Sequence, residues 1–307
     1  MLPRLAVTVG DPRGIGPEVV VAAARAHARD PKSQLVIVGP TGAGVEVDAP
    51  VGDWRTGSGA AAAGALSGRA IERAVAMALA GEVDGIVTAP IDKAALLAGG
   101  YDYPGHTEML AALTGATVAM MLASTRPSKD GGGFLRVVLA TTHLALRDVP
   151  RAVTHAAIVR ASDVTKEYLT RWFDIADPRV ALCALNPHAG DGGRFGTEDD
   201  EVLAPAARAV GIAGPFPADT VFVQALRGRY DAVIAPYHDV GMTAIKVASF
   251  GSAVNVTLGL PFPRCSPDHG TALDIAGKGI ADPASMIEAI RMCEGIVTTV
   301  KGVKGNG

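Results

Sequence analysis

Three of the seven histidines follow strand-like apolar runs directly: His143 after LRVVLATT, His188 after VALCALNP and His238 after AVIAPY. In α/β sheets ligands bind beyond the carboxyl ends of the strands, so three imidazoles in that position can converge on one point. Three neutral imidazoles and an open position make a catalytic divalent-metal site. Asp148, Asp191 and Asp239 lie close to them in sequence and can orient the rings as outer acceptors. Helix N-capping competes for the same acids. For any one histidine, a cap or a bond to a loop carbonyl is the plainer reading. Recurrence at three strand ends favours the metal.

A second set has the character of an anion site. His106 sits in YPGHTEML, where Thr107 and a helix N-terminus offer donors. Lys246, Asn255 and Arg264 follow His238 at intervals of 8, 9 and 9. Both cations stand in otherwise uncharged segments, where burial without a partner is costly. A phosphate or carboxylate ligand would serve, and so would a salt bridge to a distant acid. Two glycine-rich turns, VTVGDPRGIGPEVV and HGTALDIAGKGIADPASMIEAI, each lead into a helix with backbone donors exposed. Neither is the strict dinucleotide fingerprint. His27 and His155 fall within helical segments and carry no expected chemistry.

The elements that must position these residues alternate. Leu5–Val9, Leu35–Val38, Gly85–Thr88, Val118–Leu122, Leu135–Ala140, Val180–Leu185, Ala232–Ala235 and Val254–Leu258 read as buried strands. Ala-rich helical segments such as Gly68–Ala80, Thr154–Thr170 and Glu198–Val210 separate them, which predicts a mostly parallel α/β sheet. Pro17 suits a first helical turn. Gly39–Gly68 reads as a loop, with a closely packed small-residue helix over Gly57–Gly68 as the alternative. The SKDGGG stretch, Ser128–Gly133, reads as a hairpin tip or lid.

Composition removes several classes. Of 307 residues, 28 are Lys or Arg and 31 Asp or Glu, so at a net charge of -3 no basic field exists for nucleic acid. Aromatic residues, at 5%, provide no stacking platform. The longest uncharged stretches, Met109–Thr125 and Val247–Pro263, are interrupted and too short for a membrane span. No targeting pattern precedes the strand-length Leu5–Val9. Cys183, Cys265 and Cys293 are odd in number and lack CxxC spacing, which indicates reduced thiols and a cytoplasmic protein.

GDPRGIGPE and HGTALDIAGKGIADP resemble turns of the isocitrate and isopropylmalate dehydrogenase superfamily, whose members oxidise hydroxy acids with a nicotinamide cofactor. PGHTE, TTHLALRDVP, LNPHAGDGGRFGTE, GPFPADT, YHDVGMTAIK and VNVTLGLPFPRCSPDHGTA narrow the likeness. In that order, between about residues 5 and 292, they resemble the 4-hydroxythreonine-4-phosphate dehydrogenase family of pyridoxal phosphate (vitamin B6) biosynthesis. The resemblance implies an isocitrate/isopropylmalate dehydrogenase-like fold, with two α/β/α domains, a cleft between them and a mostly parallel sheet. We expect the domains to span 1–125 plus 270–307, and 126–269.

The implied reaction is NAD(P)-linked oxidation of 4-phosphooxy-L-threonine at C3, then decarboxylation to 3-amino-2-oxopropyl phosphate. His143, His188 and His238 match the family's metal ligands, for zinc, magnesium or cobalt. His106, Thr107, Lys246, Asn255 and Arg264 match its substrate positions. Lys246 and Asp239 are the candidate catalytic groups, and His269, Gly270, Thr271 and Asp274 the candidate cofactor contacts. A homodimer with the active site at the subunit interface is also implied. Val240–Gly241–Met242 after YHD, and Arg194 after GG, depart from the family pattern. They keep open a 4-phospho-D-threonate or phospho-D-erythronate dehydrogenase of sugar-acid catabolism. Rivals of other classes are a non-catalytic α/β binding protein whose histidines are caps, and a metal-dependent hydrolase or lyase without nicotinamide.

Overall fold

The computed structural model describes residues 2–129, 132–249 and 251–305, with side chains to residue 302. The chain forms two compact units, one built from the chain up to Val118 and from Val254 onward, the other from Ala119–Ala253. The first begins β1 (Arg4–Thr8), α1 (Gly16–His27), β2 (Gln34–Thr41), β3 (Ala49–Asp53), α2 (Gly59–Leu79), β4 (Gly85–Thr88), α3 (Lys93–Ala98) and α4 (His106–Thr114). The second holds β5 (Ala119–Ser124), β6 (Arg136–Leu139), α5 (Val149–Ala152), α6 (His155–Phe173) and β7 (Val180–Cys183). It continues through a π-helical turn (Asp199–Leu203), α7 (Ala204–Val210), β8 (Ala213–Phe216), α8 (Ala218–Leu226), β9 (Ala232–Ala235) and α9 (His238–Ala248). The chain returns to the first unit with β10 (Ala253–Leu258), β11 (Arg264–Pro267) and α10 (Ala284–Gly305).

Strand order in the first unit is β3-β2-β1-β4-β11-β10, with only β10 and β11 antiparallel. In the second it is β5-β6-β9-β7-β8, with only β5 and β6 antiparallel. The helices present apolar stripes at 3.6-residue spacing. Ala70, Ile71, Ala74 and Val75 of α2 are buried against Ala6, Val36 and Val38 of the first sheet. In the second unit Ile245 of α9 packs with Val137, Leu139, Val233 and Ala235. Each large aliphatic side chain so buried stabilises its unit by about 1.5–3 kcal/mol relative to exposure. Caps fix helix starts, since Asp92 accepts from the Ala95 N–H at 2.7 Å and Thr154 from the Ala157 N–H at 3.2 Å. Pro17 lies in the first turn of α1. Among the described residues no helix is long and apolar enough to cross a membrane.

Several expectations are corrected. Gly39–Gly68 is not a loop: it contains the end of β2, all of β3 and the start of α2, which forms the small-residue helix expected as the alternative over Gly57–Gly68. Its small residues are there for contact. A Cβ on Gly64 would lie 1.7 Å from the Ala95 carbonyl oxygen, so α2 rests directly on the backbone of α3. Gly64→Ala is therefore expected to lower unfolding free energy by about 2–3 kcal/mol in urea melts, overriding the roughly 1 kcal/mol that alanine gains in helix propensity. An unchanged or raised midpoint would contradict this packing.

The domain limits also move. Residues 119–125, expected in the first domain, lie in the second unit because β5 pairs with β6. Residues 254–269, expected in the second, lie in the first because β11 pairs with β4 and β10 with β11. The SKDGGG stretch connects antiparallel β5 and β6, with Ser128 N–H donating to the Gly133 carbonyl at 2.8 Å. Its Asp130 and Gly131 lie outside the described residues.

Candidate active site

β6, β9 and β7 are neighbours in that order and mutually parallel, so their carboxyl ends share one edge of the second unit's sheet. Each end delivers one histidine: His143 beyond β6, His238 at the first turn of α9 after β9, and His188 beyond β7. The Ala140 N–H donates to the Ala235 carbonyl at 2.9 Å, and Thr141 Oγ1 to that of Pro236 at 2.7 Å. These bonds hold the first two loops together. The ring centres of His143 and His238 are 5.4 Å apart. Two imidazole nitrogens bound to one ion at about 2.1 Å with a tetrahedral angle put ring centres roughly 5 Å apart, so this pair fits as two ligands. Asp239 Oδ1 lies 2.7 Å from His238 Nδ1. That contact turns Nε2 outward, the arrangement expected of a ligating histidine with an orienting carboxylate.

His188 lies in an adjoining cavity. Thr141, His143, Tyr237, His238 and Asp239 line one space of about 200 Å³. Asn186, His188, Asp219, Tyr237 and Val240 line another of about 420 Å³, and Tyr237 belongs to both. Among the described residues no three His, Cys, Asp or Glu side chains are close enough to hold an ion. The structure thus joins two of the three expected ligands. His143 and His188 both have left-handed backbones, with φ of 45° and 52°. Such conformations in non-glycine residues cost energy and cluster at functional sites. The His188 loop is anchored by buried Asp199, whose carboxylate accepts from the Leu185 and Asn186 N–H groups at 2.8 and 2.9 Å. Asp148 lies near Arg147 and Asp191 near Arg194, each pair at 3.9 Å. Lys246 is half-buried in the last turn of α9.

The first unit carries the residues expected to bind an anion. Arg264, 2% exposed, is among its most deeply buried large side chains. Nη1 donates to Thr257 Oγ1 at 2.9 Å and Nη2 to Thr88 Oγ1 at 2.5 Å, while Nε has no partner. Burial pushes this guanidinium down to about 10, against the pull of Cys265, Cys293 and Glu108, so it stays charged at neutral pH. Nearby His106 opens α4, and its Nε2 is buried without a partner. The Asn255 Oδ1 and Thr8 Oγ1 atoms are likewise buried and unsatisfied. Thr107 is half-buried beside His106.

Burial, followed by repulsion from Arg264 and Lys93, pushes His106 well below the ordinary histidine value, so the imidazole is neutral. The folded state then resists a proton that the unfolded chain accepts below about pH 6.5, and stability is lost as pH falls. Replacing His106 by Gln should flatten the decline in urea midpoint between about pH 7 and 5. Parallel declines in wild type and variant would show that His106 does not stay neutral.

The two glycine-rich turns meet. The Ile15 N–H donates to the Thr271 carbonyl at 2.9 Å, and a Cβ on Gly14 would sit 2.8 Å from that oxygen. Glu18 accepts from the Gly277 and Gly279 N–H groups. Those backbone donors are therefore already engaged within the chain. His269 Nδ1 contacts the Gly270 carbonyl at 3.1 Å, which places the proton on Nδ1 and leaves Nε2 a buried acceptor without a donor. A cofactor hydroxyl or amide fits that atom. Gly270 and Asp274 are exposed, and Thr271 is half-buried. Sequence reasoning missed Tyr237, Thr8, Thr88 and Thr257. Tyr237 is signalled only by adjacency to His238, and the threonines look like ordinary strand residues.

Comparison with known proteins gives consistent findings. The family described as "Pyridoxal phosphate biosynthetic protein PdxA" matches residues 11–293. A 4-hydroxythreonine-4-phosphate dehydrogenase of Caulobacter vibrioides is 42% identical, covering 94% of this chain and 96% of that protein. A putative D-threonate 4-phosphate dehydrogenase of Bradyrhizobium diazoefficiens is 40% identical, over 95% and 96% respectively. The crystal structure of 4-hydroxythreonine-4-phosphate dehydrogenase from Klebsiella pneumoniae superposes with a TM-score of 0.82 at 37% identity, covering 96% of this chain and 99% of that one. The fold extends to isocitrate dehydrogenase from Methylococcus capsulatus, with a TM-score of 0.56 at 17% identity over 99% and 88% of the two chains.

Proposed function

Because the chain belongs to the PdxA family of pyridoxal phosphate biosynthetic proteins, we propose that it oxidises 4-phosphooxy-L-threonine at C3. It uses NAD or NADP and a divalent ion, and decarboxylation of the product yields 3-amino-2-oxopropyl phosphate for vitamin B6 biosynthesis. What carries the reading beyond family membership is the run of three adjacent parallel strands, β6, β9 and β7, each ending on a histidine.

His143 and His238 would hold the ion, zinc, magnesium or cobalt, and His188 of the adjoining cavity would complete its shell. When bound, the ion supplies Lewis acidity toward substrate oxygens and the nicotinamide accepts the hydride. Asp239 keeps the His238 ring turned so that Nε2 is free to ligate. Arg264, which among the described residues is hydrogen-bonded by hydroxyls and not ion-paired, binds an anionic group of the substrate. Neutral His106 and the Thr107 hydroxyl hydrogen-bond to that group, and the Asn255 carbonyl oxygen accepts from a substrate donor. Lys246 holds substrate charge or takes the proton of the C3 hydroxyl, with Asp239 as the neighbouring acid in α9. On the cofactor side, His269 Nε2 accepts from a cofactor hydroxyl or amide, beside Gly270, Thr271 and Asp274.

The protein acts as a homodimer whose active site is completed at the subunit interface. Exposed Leu144 and Leu146 follow His143, exposed Phe195 follows His188, and exposed Val247 lies on the helix begun by His238. Exposed apolar side chains close in sequence to His143, and Phe195 with its ring centre 6.4 Å from that of His188, call for a covering partner. Three buried, free cysteines suit a reducing compartment, the cytoplasm.

The D-threonate 4-phosphate relative keeps a second substrate in view, since 42% and 40% identity do not separate the two activities. The test is NADH formation by the metal-supplemented protein, with 4-phosphooxy-L-threonine and 4-phospho-D-threonate offered side by side and a chelator control. Preference for the amino substrate, lost on chelation, is expected. Preference for the threonate would move the enzyme to sugar-acid catabolism, and no reduced nicotinamide from either substrate, with NAD or with NADP, would overturn the nicotinamide reading.

A further inference from the structure

A polar row crosses the middle of the first unit's sheet. Thr8 of β1 is in register with Thr88 of β4, and Asn255 of β10 with Ser266 of β11. Arg264 and Cys265 of β11 pair with Ile86 and Val87 of β4, so the next step sets Ser266 beside Thr88. The pairing of Val256 with Cys265 likewise sets Thr257 opposite Arg264. Residues aligned across a ladder, or two apart along a strand, share a face. One buried face therefore gathers Thr8, Thr88, Ser266, Asn255, Thr257 and Arg264.

Within this group the guanidinium is held at two corners. Its two terminal nitrogens each give one hydrogen to a threonine hydroxyl, 2.9 and 2.5 Å away, from the strands on either side. Both threonines are fully buried, and β-branching restricts each χ1. Of the five N–H donors three remain: Nε–H and one on each terminal nitrogen. The choice of anchor has a physical consequence. A carboxylate would orient the guanidinium equally well but would cancel its charge and compete with an incoming anion. Hydroxyls fix the plane and leave the charge whole.

We propose that Thr88 and Thr257 are positioning residues that pin Arg264, presenting its remaining donors as a fixed fork to the phosphate or carboxylate of the substrate. This rests on Arg264 being a substrate-binding residue. Hydrogen bonds to a charged group are worth about 10- to 100-fold in an equilibrium, and positioning transmits part of that. Thr88→Val and Thr257→Val are each expected to raise KM for 4-phosphooxy-L-threonine about 10-fold. KM for NAD should stay within about 2-fold, and Thr88→Ser and Thr257→Ser should return to near wild-type values. Combined with Arg264→Met, either valine substitution should add nothing further, because there is no longer a guanidinium to position.

The outcomes separate cleanly. If Arg264→Met leaves the substrate KM unchanged, the substrate reading of Arg264 falls and takes this proposal with it. If Arg264→Met raises that KM but the valine variants do not, the proposal alone falls. It falls too if the valine effect persists in the Arg264→Met background, or if KM for NAD rises equally. Should a valine variant fail to fold, alanine at the same position replaces it, with the same 10-fold rise expected and the serine rescue as its control.

Discussion

His188→Ala is expected to lower turnover by on the order of 10³-fold or more and to leave the purified protein with a reduced content of bound divalent metal. The residue is exposed at the end of the β7 loop, so no core contact is lost. Its backbone is left-handed, at φ 52° and ψ 30°, a conformation that costs histidine and alanine alike about 1 kcal/mol. The unfolding midpoint should therefore move little. His188 lines a different cavity from the His143–His238 pair, and Tyr237 belongs to both. If the ion needs only that pair and water, His188→Ala would retain metal and most of its activity, and the three-histidine centre would be wrong. Metal analysis beside the rate measurement distinguishes loss of the ion from a displaced loop, since Asp199 holds that loop independently of the imidazole.

The parts of this molecule that were legible in advance share a physical cause. Strands such as Ala232–Ala235 are buried on both faces and must be short and apolar, so composition alone marks them. The histidines announce themselves because imidazole is unusual directly after such a run. The unread parts have causes too. β11 begins with Arg264 and ends with Pro267, and nothing about RCSP resembles a strand until β4 and β10 close on both sides of it. That one missed strand also misplaced the return to the first unit. Only the first turns of α2 were ambiguous, between a loop and a small-residue helix, because glycine and alanine read as flexibility, whereas Gly64 is small so that two backbones can touch.

The same logic explains the site. Arg264 was visible as a lone cation in an uncharged stretch. Its anchors were not, because threonine is common in strands and only the register reveals which threonines face a guanidinium. Glu18 was similarly hidden: it is an unremarked acid in the first turn of α1, yet it engages the backbone donors of Gly277 and Gly279, 259 or more residues away. Local pattern reports chemistry that is unusual for its position. Pairing across the sheet determines everything else.

Arg264→Met should separate function from stability in opposite directions. In the free enzyme the guanidinium is 2% exposed and among the described residues has no ion-pair partner, only two hydroxyls. A buried charge in that condition is a cost to the fold, registered in the fall of its pKa to about 10. Methionine fills a similar volume without charge, so unfolding free energy is expected to hold or rise by about 1–3 kcal/mol, offset in part by two hydroxyls left without their donors. The loss appears when substrate binds. A desolvated, charge-assisted contact to phosphate or carboxylate disappears, and KM for 4-phosphooxy-L-threonine should increase about 10²-fold, with KM for NAD within about threefold. Equilibrium urea unfolding and initial rates on the same preparation test both halves. A variant that loses several kcal/mol and keeps its substrate KM would make Arg264 a structural residue, with its charge satisfied by the fold. A variant that is at least as stable as the wild type and starved of substrate affinity would identify the buried cation as strain that the protein maintains for its ligand.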